Sequence, residues 1–175
     1  LEHGGRKFFF NYRDLKPMDR ADPIFFYTCN VSVKQSLLEK SGWFDESFPY
    51  ASHEDLELGY RLADQGMKLI YNPEAKGYHW HMLSAHGIAR RVYLMGYSAA
   101  LFWQKVNDEG SWLRGFIRKA LAWSCSTPPA IVFWNWLRQK DYNAGKNYPI
   151  LWKVLLFLCF FIGLSDSSRK KSLRV

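Results

Sequence analysis

Ser52-His53-Glu54-Asp55-Leu56-Glu57-Leu58-Gly59-Tyr60-Arg61 places two adjacent carboxylates at the start of a predicted helix. Ser52 is a favourable N-cap residue, and Asp55 lies three positions later, where the acidic member of a capping box belongs. Apolar residues then recur at helical spacing, and Gly66 is typical of a helix end. The helix dipole stabilises a negative charge in the first turn by about 0.3–1 kcal/mol. A charged carboxylate on a fixed turn can act as a general base, although a helix that merely begins with acids is equally common.

The composition indicates a folded protein whose two halves differ. Hydrophobic residues make up 48% of the 175 residues and aromatic residues 18%, which excludes a disordered chain. Residues 1–84 carry 10 basic and 12 acidic side chains, whereas residues 85–175 carry 14 and 4. This imbalance predicts chemistry in the first half and attachment to an anionic partner in the second.

The three cysteines, Cys29, Cys125 and Cys159, lack the spacing of metal ligands. Their odd number and wide separation predict buried thiols in a reducing compartment rather than a disulfide framework. The chain begins without Met and without a signal-peptide pattern, so we expect it to be a fragment of a longer protein.

The predicted elements change from mixed to helical along the chain. Residues 24–33 are rich in β-branched and aromatic residues and predict a buried strand, with the polar Asn30 inside it as a satisfied core amide. Residues 34–40 predict a short helix stopped at Gly42, and residues 67–72 and 75–81 predict two further extended segments. Apolar residues at steps of three and four predict helices over residues 88–106 and 112–124.

Residues 150–164 are almost entirely apolar and are followed by a basic segment. They fall short of the roughly 20 residues that a helix needs to cross a bilayer. A helix of this kind more often lies in the membrane interface, and the alternative is a core helix of the intact protein.

Four motifs occur in order between residues 26 and 81. They are Thr28-Cys29-Asn30-Val31-Ser32-Val33-Lys34, Gly42-Trp43-Phe44-Asp45-Glu46, the acidic motif at residues 54–61, and Pro73-Glu74-Ala75 leading to His79. Together they resemble the acceptor-side half of an inverting family 2 glycosyltransferase. The resemblance implies an α/β fold, with a partial GT-A-type mixed sheet and flanking helices followed by an all-helical C-terminal tail.

The same resemblance implies three regions. Residues 1–84 would be the acceptor-side half of the catalytic domain without its nucleotide-binding half, and residues 85–147 would be amphipathic basic helices. Residues 148–175 would be an apolar, membrane-associated helix with a basic end.

The resemblance also implies roles for individual residues. Asp55 would be the general base that takes the proton of an acceptor hydroxyl, and Glu54 would orient the acceptor. Binding of the acceptor would involve Asn30, Trp43, Asp45 and His53. Arg61 is expected to be structural, because Glu57 lies four residues before it on the predicted helix.

A divalent cation, Mg²⁺ or Mn²⁺, would neutralise the leaving diphosphate in the full-length parent. His79 and His81 are the candidate ligands in this chain, and simple surface histidines at a strand end are the alternative. The Asp-x-Asp motif that holds the metal in the family is absent from this sequence. We therefore expect the 175 residues alone to be inactive.

The expected partners are a nucleotide-sugar donor, a glycan or lipid-linked acceptor and an anionic membrane surface, at the cytoplasmic face of the membrane. A non-catalytic membrane-binding scaffold is the alternative from another class of protein. Basic residues among Trp and Phe also occur in proteins that bind single-stranded nucleic acid. We expect no nucleic-acid partner, because an interfacial helix has the same composition.

Overall fold

The computed structural model describes residues 12, 15–78, 84–106, 112–139 and 149–170. A 3-10 turn, Pro23–Phe25, precedes helices α1 (Gln35–Ser41) and α2 (Glu54–Asp64). Four further helices follow: α3 (Ala85–Lys105), α4 (Trp112–Cys125), α5 (Pro128–Gln139) and α6 (Pro149–Ser168). The chain forms two compact units. The first unit comprises residues 1–45 and 55–80, and the second comprises residues 46–54 and 81–175.

The helix ends of the first unit follow from glycine and from local capping. The Asp22 side chain accepts a hydrogen bond of 2.9 Å from the backbone N–H of Ile24 and so begins the 3-10 turn. Gly42, with a φ of 71°, ends α1, and Gly66, with a φ of 89°, follows the end of α2. Both glycines were predicted as helix ends, because only a residue without a Cβ adopts this conformation at little cost.

The core of the first unit joins α2 to the segments before and after it. Phe26, Leu58, Leu62 and Met67 are buried together, and Leu62 has no exposed surface. A Cβ added at Gly59 would lie 2.6 Å from Phe26 Cβ and 2.7 Å from the carbonyl oxygen of Pro23. The glycine therefore allows the helix to approach the 3-10 turn closely.

The predicted mixed α/β sheet is wrong for the part of the chain that the structure describes. Residues 24–33 form the 3-10 turn and further turns, with hydrogen bonds such as Phe26 N–H to Pro23 O (3.0 Å). The predicted strand at residues 67–72 is reduced, in the described part of the chain, to an isolated antiparallel bridge between Arg20 and Ile70. Two backbone bonds flank it, from Ala21 N–H to Leu69 O and from Met18 N–H to Tyr71 O, each 2.8 Å.

The physical reason for this error is that a strand needs a neighbour. Its N–H and C=O groups point sideways and must pair with another segment, whereas turns and helices satisfy them locally. β-branched and aromatic composition alone could not show whether a partner strand is present. Residues 75–78 form no regular secondary structure, and the rest of the predicted segment at 75–81 lies outside the described residues.

Three helices of the second unit lie where the apolar pattern of the sequence predicted helices. Helices α3, α4 and α6 contain the predicted segments at residues 88–106, 112–124 and 150–164, apart from one residue at the end of the first. A shared core of buried side chains comes mainly from α3 and α6, with one from α4: Ile88, Ala89, Val92, Tyr93, Leu94, Cys125, Leu155, Leu156, Leu158, Cys159 and Ile162.

Helices α3 and α6 run antiparallel in very close contact. A Cβ at Gly96 would overlap the carbonyl of Phe160, and a Cβ at Gly163 would overlap the carbonyl of Tyr93. The Tyr93 hydroxyl donates a hydrogen bond of 3.1 Å to Asp166 Oδ2, and both side chains are buried. Backbone contact at two glycines together with a buried polar bond specifies one register for this helix pair.

Among the residues described, no helix is long and apolar enough to cross a membrane. None of the three cysteines, all of which lie in the described residues, forms a disulfide. Cys125 and Cys159 are buried as predicted, whereas Cys29 is exposed because it lies in the turns that replace the predicted strand.

Candidate functional site

Asp55 lies at the second position of α2, in the first unit, with its side chain half-buried. Its Oδ2 accepts a hydrogen bond from the backbone N–H of Thr28 (3.3 Å), and its Oδ1 accepts one from the N–H of Leu56 (2.9 Å). Two backbone donors therefore orient the carboxylate, and their partial positive charges stabilise its negative charge. Each carboxylate oxygen has two lone pairs, so this arrangement is compatible with a further hydrogen bond from a ligand.

Two tyrosines of the first unit, Tyr12 and Tyr27, lie close enough to this carboxylate to feel its charge, and a third, Tyr71, stacks on Tyr12. Burial raises the pKa of Tyr12 to about 12, with further contributions from the nearby Tyr27, Cys29, Tyr71 and Asp55. Burial and then the Asp55 charge also raise the pKa of Tyr27. Negative charge near a phenol favours its protonated form, so both hydroxyls keep their protons at neutral pH.

Sequence reasoning missed these three tyrosines. Tyr12 and Tyr71 are far from Asp55 in sequence, and no local pattern connects them. Their proximity depends on the backbone bonds between residues 18–21 and 69–71.

Arg61 is structural, as predicted. Its guanidinium makes two bonds to the Glu57 carboxylate, Nε to Oε1 at 2.7 Å and Nη2 to Oε2 at 2.8 Å. It also donates to the carbonyl oxygens of Gly42 (2.7 Å) and Trp43 (2.9 Å). Arg61 therefore holds the loop after α1 on the side of α2, and Glu57, 5% exposed, compensates its charge.

The predicted acceptor-binding residues of the first unit are Asn30, Trp43 and Asp45. Asn30 is exposed rather than buried, and its Nδ2 donates a hydrogen bond of 2.6 Å to the carbonyl of Ala75. Trp43 is 58% exposed, and Asp45 in the same loop is half-buried. The structure brings Thr28, Tyr12 and Tyr27 to Asp55, and the acceptor-binding roles of these three predicted residues stay predictions.

His53 and Glu54 belong to the second unit. The helix begins at Glu54, and His53 before it has a φ of 69°, which is uncommon for a residue other than glycine. Ser52 is therefore not the N-cap: its hydroxyl and His53 Nδ1 are hydrogen-bonded at 2.9 Å. The predicted capping box is wrong, because Asp55 accepts from Thr28 and Leu56 instead.

The His53 ring is held in an apolar environment. It lies 5.4 Å from the ring of Phe102, centroid to centroid. Burial lowers the pKa of His53 to about 4, because desolvation disfavours the charged imidazolium. His53 is therefore neutral at physiological pH.

The predicted metal ligands His79 and His81 lie outside the described residues. Within the described ranges, no group of three or more His, Cys, Asp or Glu side chains could hold a metal ion. Those residues alone do not form the expected metal site.

Comparison with known proteins gives short but clear similarities. Chondroitin synthase of Pasteurella multocida (strain Pm70) is 44% identical over 45 residues, which cover 25% of this chain and 5% of that protein. Validoxylamine A glucosyltransferase of Streptomyces hygroscopicus subsp. jinggangensis (strain 5008) is 39% identical over 54 residues, covering 31% and 13%. Hyaluronan synthase of Pasteurella multocida is 48% identical over 42 residues, covering 24% and 4%.

The matched segments thus span only 4% to 13% of the length of these curated relatives. No solved structure matches the chain. The family description "Glycosyl transferase family group 2" matches residues 4–169, which is nearly the whole sequence. The chain therefore belongs to the glycosyltransferases of family group 2.

Proposed function

We propose that this chain is the acceptor-side part of a longer glycosyltransferase. The enzyme transfers a sugar from a nucleotide-diphosphate sugar to an acceptor hydroxyl with inversion, in the synthesis of a cell-surface glycan, polysaccharide or glycolipid. Family membership supports the transfer reaction, and the chondroitin and hyaluronan synthases among its relatives support a glycan product.

The observation that carries this proposal is the geometry of Asp55. Its carboxylate is fixed by the N–H groups of Thr28 and Leu56 on the first turn of α2. The attacking acceptor oxygen forms a bond to the anomeric carbon and gives its proton to Asp55. The bond from that carbon to the diphosphate oxygen breaks, and its electron pair leaves with the diphosphate. Attack from the face opposite the leaving group inverts the anomeric configuration.

Glu54, adjacent in sequence, is proposed to orient the acceptor. The donor and a divalent cation, Mg²⁺ or Mn²⁺, are proposed to bind mainly through parts of the parent enzyme beyond this chain. When bound, the cation neutralises charge on the leaving diphosphate, whereas the acceptor proton goes to the Asp55 carboxylate of this chain. Turnover by the 175 residues alone is not expected.

The test is Asp55→Asn in the full-length enzyme. The amide keeps the shape of the side chain but cannot accept the proton, so we expect kcat to fall by about 10²–10⁴-fold. Asp64→Asn, at the exposed C-terminal end of the same helix, removes the same charge and should leave kcat unchanged. Full activity of the Asp55→Asn enzyme would rule out the proposed base.

We also propose that the second unit rests on an anionic membrane surface, at the cytoplasmic face. Its helices expose large apolar side chains, and in α6 they form one stripe of Ile150, Val154 and Phe157 with Lys153 beside it. Apolar residues with interspersed cations are typical of interfacial helices.

Salt-sensitive binding to phosphatidylserine vesicles, without binding to single-stranded oligonucleotides, would support this location. Equal binding to both would contradict it. The Asp55→Asn enzyme should retain vesicle binding, which separates attachment from catalysis.

A further inference from the structure

Tyr12 and Tyr27, which lie near Asp55, belong to a connected group of aromatic rings. Tyr12 and Tyr71 are stacked, with ring centroids 5.8 Å apart and planes at 15°. Tyr27 meets Tyr12 edge-on at 5.7 Å, and Phe25 meets Tyr27 edge-on at 6.4 Å. We call Tyr12, Tyr27 and Tyr71 the tyrosine cluster.

The tyrosine cluster is not part of the buried core of the first unit. Tyr12 is 37% exposed, and Tyr27 and Tyr71 are each partly exposed. The core residues of the same unit, such as Phe26 and Leu58, are 1% exposed. Aromatic rings that pack on each other while keeping surface in solvent, beside a fixed carboxylate, are available to a ligand that reaches that carboxylate.

We propose that the tyrosine cluster binds the ring of a saccharide acceptor, so that this enzyme glycosylates a sugar hydroxyl rather than the hydroxyl of a lipid or an amino-acid side chain. The inference rests on the proposed role of Asp55 and adds the acceptor class and three specificity-determining residues to it.

The chemistry of the cluster matches one face of a sugar ring. Axial C–H groups carry partial positive charge and pack on the negative face of an aromatic ring, while the sugar hydroxyls bond to polar groups at its rim. The hydroxyls of Tyr12 and Tyr27 keep their protons because burial and Asp55 raise both pKa values, so they can donate as well as accept. The neighbouring carboxylate is the group to which the reacting hydroxyl must be presented.

A nucleotide base could also stack on tyrosine, but its diphosphate would bring further negative charge close to Asp55. Like charges in a partly desolvated site repel each other. Because the Asp55 charge already acts on both phenols, the cluster favours a neutral ring over the nucleotide.

Cys29 provides a direct measurement of occupancy. It is exposed and follows Thr28, whose N–H donates to Asp55, and its ionised form raises the pKa of Tyr12, so it lies beside the tyrosine cluster. Cys125 and Cys159 are buried and serve as internal references. The full-length enzyme is treated with iodoacetamide, and alkylation of the Cys29 peptide is followed by mass spectrometry.

The probes are the neutral methyl glycosides of glucose and N-acetylglucosamine, with uridine diphosphate and glycerol as comparisons. We expect at least one glycoside to slow alkylation of Cys29 several-fold at saturation, and glycerol to have no effect. Protection by uridine diphosphate alone, or by none of the glycosides, would overturn the inference.

Variants in the same enzyme identify the residues. Tyr71→Ala and Tyr12→Ala should raise the glycoside concentration for half-protection, and the acceptor KM, by about 3- to 10-fold with kcat nearly unchanged. Tyr71→Phe keeps the ring and should restore binding. Tyr78→Ala is the matched control, because Tyr78 belongs to the same unit and is 99% exposed.

The two proposals can fail separately. Loss of transfer in Asp55→Asn with normal KM in the tyrosine variants would overturn only the saccharide site. Should the alanine variants not fold, protection of Cys29 in the unaltered enzyme still decides the question.

Discussion

The two units of this protein are built in different ways. In the second unit, the apolar faces of α3, α4 and α6 bury one another, and backbone groups bond within each helix. In the first unit, a small core around Phe26 and Leu62 holds turns and loops together through single bonds between distant residues. Arg61, which ties the loop after α1 to α2, is such a connection.

This difference matches the jobs proposed for the two units. Helices that pack through apolar faces form a stable support, whereas a site that binds a substrate needs polar groups and exposed aromatic rings at fixed positions. The first unit achieves fixed positions with charged and backbone hydrogen bonds rather than with a large core. We therefore expect its stability to depend on a few polar residues, and that of the second unit to depend on close packing.

The largest expected loss of stability follows from Arg61→Met. The change leaves the buried Glu57 carboxylate without its ion pair and releases the carbonyls of Gly42 and Trp43. We expect the free energy of unfolding to fall by about 3–5 kcal/mol, measured by urea denaturation.

Two controls sharpen the Arg61 prediction. Replacing both Arg61 and Glu57 by Met should recover part of the loss, because no uncompensated buried charge remains. Lys76→Met breaks an exposed pair with Glu74 at 3.4 Å and should cost less than about 0.5 kcal/mol. Similar losses for Arg61→Met and Lys76→Met would contradict the view that buried polar contacts hold the first unit.

Gly163→Ala tests packing in the second unit. The added methyl group would overlap the backbone carbonyl of Tyr93, so α3 and α6 must move apart. We expect the free energy of unfolding to fall by about 1–3 kcal/mol. Gly115→Ala is the matched control within α4, where a Cβ meets no atom within 4 Å. It should raise stability by about 0.5–1 kcal/mol, because alanine favours a helix. A loss of stability of equal size in Gly115→Ala would show that the close approach of α3 and α6 does not cause the loss in Gly163→Ala.

The smallest expected effect is a pH dependence from His53. Its pKa is about 4 in the folded protein and about 6.5 when unfolded, so between these values the unfolded chain binds more protons. Stability therefore falls as the pH decreases from about 6.5 to about 4, by about 1 kcal/mol between pH 7 and 5.5.

His53→Asn should remove this contribution, since asparagine tolerates a positive φ and does not titrate. His86→Asn, at an exposed position of α3, should retain it. Denaturation curves at several pH values measure both, and an unchanged slope in His53→Asn would refute the assignment.

The helices could be predicted from the sequence because their determinants are local. Apolar residues at steps of three and four located α3 and α4, a nearly continuous apolar run located α6, and glycines located the ends of α1 and α2. The predicted sheet failed because pairing depends on a second segment that periodicity does not reveal. Asn30 shows the consequence, since it was assigned to a buried strand and instead lies exposed in a turn.

The candidate site could be predicted only in part, for the same reason. The helical position of Asp55 and the Arg61–Glu57 pair follow from spacing within a single helix. Contacts between segments far apart in sequence bring the Thr28 N–H to Asp55 and stack Tyr71 on Tyr12, so neither arrangement follows from a local pattern. The identity of a motif residue such as Asp55 shows which chemistry its side chain can perform. Which groups surround that side chain is determined by tertiary contacts.

The antiparallel contact between α3 and α6 has a consequence for biosynthesis. Helix α3 packs mainly on α6, and both α4 and α5 are translated between them. Until residues 149–168 have left the ribosome, the apolar face containing Val92 and Tyr93 lacks its partner. A stalled or truncated nascent chain would therefore expose this apolar face to chaperones and proteases. Emergence of α6 is thus the event that covers this face and ends the exposure.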